Sequence, residues 1–206
     1  RDTMDHFVET IGTIYDQYKD RIEGMAISMP GIINPEIGYA FTGGALRYID
    51  KMNIVDILKE RCPINITIGN DAKCAANAEI GYGNLQDIQD GAVVILGTGI
   101  GGCLIKDHKV HTGRHFSAGE FSFVKTNCLD GIGWDYAWST RNGIKGLLER
   151  VQESLGTNQE YTGIEIFDMA NEGNEKVIEG ISQFCKEVAT QIFNVHIIFD
   201  CEKVAI

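Results

Sequence analysis

From Gly91 to Lys106 the chain reads as an apolar run, a glycine-rich turn and a second apolar run: Gly91-Ala92-Val93-Val94-Ile95-Leu96, Gly97-Thr98-Gly99-Ile100-Gly101-Gly102, then Cys103 to Lys106. This segment restricts the fold more than any other, because it demands two buried strands joined at a glycine loop. Gly97, Gly99 and Gly102 match G-x-G-x-x-G, but the dinucleotide fingerprint needs a helix after its third glycine so that a pyrophosphate meets a helix N-terminus. Here a strand follows instead. A P-loop is excluded as well, since no G-K-[ST] occurs in the chain. A glycine-rich turn between strands still binds phosphate when successive backbone amides converge on an anion, and Thr98 adds a hydroxyl. The competing reading is an ordinary tight hairpin, which needs two or three special residues rather than four glycines in six.

Around this segment, helical and extended patterns alternate, which predicts an α/β protein. Phe7, Ile11, Ile14, Tyr15, Tyr18 and Ile22 recur at helical spacing. Met25 to Met29 is a strand stopped by Pro30-Gly31. Asn53 opens a helix through Arg61, Ile64 to Ile68 is a strand ending at Gly69-Asn70-Asp71, and the small residues from Ala72 to Glu79 form a helix. Val110 to about Trp138 is loop-rich, longer than loops usually run without a purpose. Thr162 and Glu165 have capping-box spacing, and Asn174 caps a long helix whose stripe is Val177, Ile178, Ile181, Phe184, Cys185, Val188 and Ile192. The expected division is 1–72 and 73–206. Arg1 is not an initiator Met and Lys203 to Ile206 reads as a strand with nothing after it, so both ends are expected to be internal to a longer polypeptide.

Charge narrows the function classes. Eighteen Lys and Arg against 29 Asp and Glu leave a formal charge of −11, which disfavours nucleic acid and anionic membrane as partners. The longest apolar runs are far below the roughly 18 residues of a membrane helix, and 44% apolar with 23% charged residues removes disorder. A cytoplasmic protein is expected. Twenty-four glycines but only 3 prolines point to functional turns rather than linkers. The six cysteines contain no C-x-x-C pair and are expected to be buried free thiols.

Asn70-Asp71 closes a strand and opens a helix, at the sheet edge where α/β folds build their sites. Asp71 there is either a base for a substrate hydroxyl or simply the N-cap of its helix. Gly43-Gly44-Ala45 exposes amides to a small polar ligand or makes a turn. Glu120, in Ser117-Ala118-Gly119-Glu120, is a solvated loop carboxylate or a hydroxyl-binding group. His108, His111 and His115 invite a metal reading, but no further ligand at suitable spacing completes a site.

Together these segments resemble the ROK family of bacterial sugar kinases, within the superfamily of actin, hexokinase and the Hsp70 ATPase. The matching motifs run in family order: Ala26-Ile27-Ser28-Met29-Pro30-Gly31, Gly43-Gly44-Ala45, Gly69-Asn70-Asp71-Ala72, Leu96 to Gly102, and Ala118-Gly119-Glu120. The resemblance implies an α/β, two-lobed actin/hexokinase-like (ribonuclease H-like) ATPase fold, with mixed sheets and an interlobe cleft. It implies that Asp71 is the catalytic base, that Gly44, Asn70 and Glu120 hold sugar hydroxyls, and that Gly97, Thr98, Gly99, Gly101 and Gly102 hold the phosphates of ATP with Mg²⁺. It also implies a homodimer.

Most members follow Ala-Gly-Glu with a histidine and three cysteines that bind structural zinc. Here the histidine position is Phe123, and Lys125 to Gly133 holds only Cys128, so no structural zinc is expected. That pattern is similar to the β-glucoside kinase branch, which phosphorylates the 6-hydroxyl of cellobiose and other β-glucosides, and Phe123 would suit an anomeric substituent. The alternatives are a glucokinase, an N-acetylhexosamine kinase, or a sugar-sensing regulator, since the family includes repressors with an upstream helix-turn-helix.

Overall fold

The computed structural model describes residues 3–128 and 133–206. The chain divides into two units, Arg1–Asn77 with Thr112–Ser117, and Ala78–His111 with Ala118–Ile206.

The first unit begins with α1 (Met4–Tyr18), capped by Thr3, whose hydroxyl accepts from the His6 amide; the helix stops before Ile22. Strands β1 (Gly24–Met29), β2 (Ile33–Asn34), β3 (Tyr39–Ala40) and β4 (Met52–Asn53) follow. Asn53 caps α2 (Ile54–Arg61) by accepting from the Asp56 amide. Then β5 (Asn65–Asn70) runs straight into α3 (Asp71–Tyr82). β1 and β5 are parallel, while β2, β3 and β4 form a separate antiparallel sheet. Alternation along β5 buries Ile66 and Ile68 against Ile54, Leu58 and Ile49, with Phe7, Val8 and Ile11 of α1 closing that core. The β1–β5 register pairs Ser28 with Gly69 and Met29 with Asn70. Both strands therefore end level, and the turns leaving them lie side by side.

The second unit is built on β6 (Gly91–Leu96), β7 (Ile100–Lys106), β8 (Lys109–His111) and β9 (Lys203–Ala205), in the order β8-β7-β6-β9. This sheet is mixed: β9 is parallel to β6 and the other pairs are antiparallel. Its helices are α4 (Trp138–Asn142), α5 (Ile144–Leu155), α6 (Gly163–Asn171) and α7 (Glu175–Phe199). The Thr162–Glu165 capping box is formed at α6 and Asn174 caps α7. The buried line of α7 is narrower than its sequence stripe. Val177, Phe184 and Val188 are buried, whereas Ile178 and Cys185, each rotated about 100° from them, face out. The expectation that all cysteines are buried is corrected accordingly: Cys62, Cys103 and Cys201 are buried, Cys74 is half-buried, and Cys128 and Cys185 are exposed free thiols.

Among the described residues no helix is long and apolar enough to cross a membrane.

Candidate active site

In the first unit three sequence-distant motifs converge on Gly31. The Asn70 side chain is buried, and its Nδ2 donates to Gly31 O at 2.9 Å. Its Oδ1 accepts the Lys73 amide at 3.0 Å. Asn70 is thus the N-cap of α3, a bond type that contributes about 1 kcal/mol. Gly31 has φ +109°, and a Cβ there would collide with Thr42 O. Gly44, at φ +59°, lies so close that a Cβ on it would come within 3.2 Å of Gly31 N. A hydrogen bond from the Ile32 amide to Thr42 Oγ1 at 3.1 Å, and one from Gly43 N to the Asp50 carboxylate at 2.6 Å, fix that loop.

Of the two readings of Asp71, the N-cap reading is the one this geometry removes, because Asn70 holds that position. Asp71 is the first residue of α3 and is exposed, and its Oδ1 accepts the Ala72 amide at 2.8 Å. A carboxylate there is favoured by the helix N-terminus and remains open to a ligand.

Two neighbours of this turn carry no motif. Lys73 is only 6% exposed, and its ammonium donates to Phe116 O at 3.0 Å. Phe116, in the Thr112–Ser117 segment, has φ +60°, an outlier for a bulky residue that costs roughly 1–3 kcal/mol. The signal for Lys73 in the sequence is a lone charge within the alanine-rich run Ala72 to Ala78.

In the second unit the glycine segment is a tight hairpin. Leu96 pairs with Ile100 across Gly97-Thr98-Gly99, and Gly97 N donates to Gly99 O at 2.9 Å. Gly101 and Gly102 belong to β7, paired with Ile95 and Val94. The glycines separate by cause. A Cβ on Gly102 would enter the Phe121 ring and one on Gly99 would strike the Ser139 hydroxyl, so packing requires both. Around Gly97 the nearest atom to such a Cβ is 3.9 Å away. Its lack of a side chain has no packing reason, and Gly97 and Thr98 are exposed.

The hairpin is braced from behind by residues that sequence reasoning missed. Ile100 N donates to Ser139 Oγ at 3.2 Å and Ile144 N to Gly97 O at 3.0 Å. No side chain caps α5, whose N-cap is Gly143. Ser139 lies in a stretch that reads only as the end of a loop, so nothing local marked it. Gly102→Ala is expected to destabilise the second unit by about 1–3 kcal/mol through displacement of Phe121, measured as a lowered denaturation midpoint.

Glu120 is half-buried and precedes a 3-10 turn, Phe121–Phe123. Gly119, at φ +76°, lets the chain pass against the β7 backbone at Cys103 and Leu104. Phe123 is 51% exposed and packs against Trp134, 54% exposed, with ring centroids 5.2 Å apart and the planes tilted by 50°. Residues 129–132 of the Lys125 to Gly133 stretch lie outside the described residues. His108 occupies the turn between β7 and β8, where it and Asp107 both have positive φ, and its Nδ1 lies 2.8 Å from Ile88 O. Among the described residues no three His, Cys, Asp or Glu side chains cluster to hold a metal.

Two α/β units, one with a glycine hairpin on a mixed sheet and one with a capped Asn-Asp turn, define the actin/hexokinase-like class. The solved structure of the Lmo2764 protein from Listeria monocytogenes superposes with a TM-score of 0.87 at 28% identity, over 98% of this chain and 70% of that one. The match to the ROK family covers residues 1–206, and the chain belongs to that family. It is 30% identical over 186 residues to a β-glucoside kinase of Klebsiella pneumoniae, covering 89% of this chain and 63% of the relative. It is 32% identical over 183 residues to a β-glucoside kinase of Listeria monocytogenes serovar 1/2a, covering 87% and 62%. The chain thus spans less than two thirds of the length of these curated relatives.

Proposed function

We propose that this chain carries sugar-binding and phosphate-binding parts of an ATP-dependent carbohydrate kinase that phosphorylates the 6-hydroxyl of a β-glucoside such as cellobiose. The observation that carries the reading is the division of labour at Asn70-Asp71: Asn70 caps the helix, and Asp71 is left with a carboxylate open to a hydroxyl. A structural turn or a pure sensor has no need of that second group, which favours catalysis over a sugar-sensing regulator.

In this reading Gly44 and Asn70, gathered at Gly31, and Glu120 orient the sugar hydroxyls. Asp71 takes the proton of the attacking hydroxyl as its oxygen bonds to the γ-phosphorus and ADP leaves. Amides of Thr98 and Gly99 and the Thr98 hydroxyl hold phosphate oxygens, with Gly97 leaving room for them to approach and Gly101 and Gly102 setting the strand that carries the turn. Mg²⁺ bound with the nucleotide would offset charge on those oxygens. The relatives' activity supports a substituted anomeric carbon. Family membership supports a homodimer.

The test is a coupled assay with Mg-ATP against glucose, N-acetylglucosamine, N-acetylmannosamine, cellobiose and aryl β-glucosides. Cellobiose and the aryl glucosides are expected to be the best acceptors, and turnover of glucose or N-acetylmannosamine with none of cellobiose defeats the β-glucoside assignment. In the same assay Gly97→Ala is expected to raise the KM for ATP about tenfold, a loss near 1.4 kcal/mol of binding. Its denaturation midpoint should hardly move, because the new methyl meets its nearest atom, Gly99 O, at an ordinary contact distance of 3.9 Å.

A further inference from the structure

Three aromatic rings cluster in the first unit without serving its core. Tyr39 meets Phe41 edge to face at 5.2 Å, and Phe41 stacks on Phe116 at 5.8 Å with 21° between the planes. Phe41 is 42% exposed, and Tyr39 and Phe116 are half-buried. None of the three belongs to the buried apolar cluster of this unit.

This arrangement is held in place at a cost. Phe116 is kept at φ +60°, a conformation that phenylalanine resists. The group that holds its carbonyl is the ammonium of Lys73, a lysine buried to 6% exposure. Straining a phenylalanine to present a half-exposed ring is unfavourable unless the ring has a task there.

The rings are continuous with the candidate sugar site. Phe41 N donates to Ile32 O at 2.8 Å, and Thr42, the next residue, accepts from Ile32 N. Ile32 follows Gly31, which Asn70 grips and against which Gly44 lies. Lys73 is one helical position beyond Ala72, two from Asp71, so the same turn of α3 sets both the carboxylate and the ring cluster.

We infer that the Phe41–Phe116 stack, positioned by Lys73, is an apolar platform for the aglycone of a β-glucoside, meaning its second sugar ring or an aryl group. The C–H face of a pyranose and the face of an aryl ring both pack on aromatic carbon, and small-ligand sites combine such walls with a few polar groups that fix orientation. Lys73 acts through Phe116 and is a positioning residue. The inference rests on the β-glucoside reading above and names the residues that would set selectivity within it.

The experiment measures calorimetric affinities of the protein for glucose, methyl β-glucoside, cellobiose and phenyl β-glucoside, beside the kinase assay. Phe41→Ala, Phe116→Gly and Lys73→Met are compared with the unaltered protein. Phe116→Gly keeps the backbone, because glycine accepts positive φ without strain. The ratio of affinities, cellobiose or phenyl glucoside over glucose, is expected to fall roughly tenfold in Phe41→Ala and Phe116→Gly, the loss of one apolar contact face. A smaller fall in the same direction is expected in Lys73→Met. A ratio that stays within twofold of the unaltered protein in both ring variants overturns the platform, as does an unaltered protein that binds cellobiose no tighter than glucose. A ratio that falls as expected in a protein that transfers no phosphate upholds the platform and defeats the kinase reading. Failure to bind any sugar defeats both.

Discussion

Asp71→Asn is expected to lower kcat for the best acceptor sugar by about 10²- to 10⁴-fold, the usual contribution of a positioned general base. At 1.36 kcal/mol per decade that is roughly 3–5 kcal/mol of transition-state stabilisation. The exchange is nearly isosteric, and the amide oxygen still accepts the Ala72 N–H as Oδ1 does now. Stability should barely change, because the cap of α3 is Asn70 and not Asp71. The KM for the sugar should shift little, since the change removes proton acceptance rather than hydroxyl contacts. Steady-state kinetics with a thermal denaturation control decide it. A variant that keeps more than a tenth of the original kcat would falsify the assignment of Asp71 as base.

The second large effect is structural and reaches the glycine hairpin from behind. Arg150 of α5 is 4% exposed and grips Glu187 of α7 in two hydrogen bonds, Nε to Oε1 at 2.8 Å and Nη2 to Oε2 at 3.1 Å. Asn142 of α4 adds a bond to Oε2 at 3.2 Å. One carboxylate therefore ties together three helices, two of which carry the Ser139 and Ile144 contacts to the glycine hairpin. Glu187→Met strands a buried guanidinium whose Nη1 already lacks a hydrogen-bond partner among the described residues and approaches Glu153 at 3.8 Å. Its cost should be about 3–5 kcal/mol, the usual result of removing one partner from a buried pair. Replacing both residues with Met should recover much of that loss, because no unpaired charge is left in the interior. Urea denaturation of the two single variants and the double variant measures the coupling, and equal stability of Glu187→Met and the double variant would dismiss the argument.

The same pair sets a pH dependence. Burial pushes the Glu187 carboxyl up, but hydrogen bonds from Arg150, Gln183 and Asn142 outweigh it and hold the group below the usual carboxylate range. A carboxylate depressed in the folded state contributes its full stability above the unfolded value of about 4.3 and loses it as pH falls through the lower folded value. The expected outcome is a stability loss below about pH 4.3 that is smaller in the double variant.

How much of this was legible in the chain differs from residue to residue. Asn53, Thr162 with Glu165, and Asn174 were readable as caps because a cap bonds an amide two or three residues away, which local order alone fixes. The strands on both sides of Gly97 to Gly99 and the Asn-Asp turn were readable for the same reason: composition and short-range spacing specify them. The glycine hairpin was only half readable. Four glycines in six suggested one shared purpose, whereas contacts with Phe121 and Ser139 account for Gly102 and Gly99 and leave Gly97 without a packing reason.

The order of residues by itself determined the α/β class, the places where strands give way to glycine turns, the helix caps and the candidacy of Asp71, since each depends on periodicity or on atoms a few bonds apart. Only the tertiary structure decided that Asn70 relieves Asp71 of capping, that Gly31 gathers Gly44 and Asn70, and that Lys73 reaches a residue forty-three positions away at Phe116. Those outcomes depend on which distant backbone atoms the parallel pairing of β1 with β5 and the return of residues 112–117 bring within hydrogen-bonding range, and no local spacing encodes such distances.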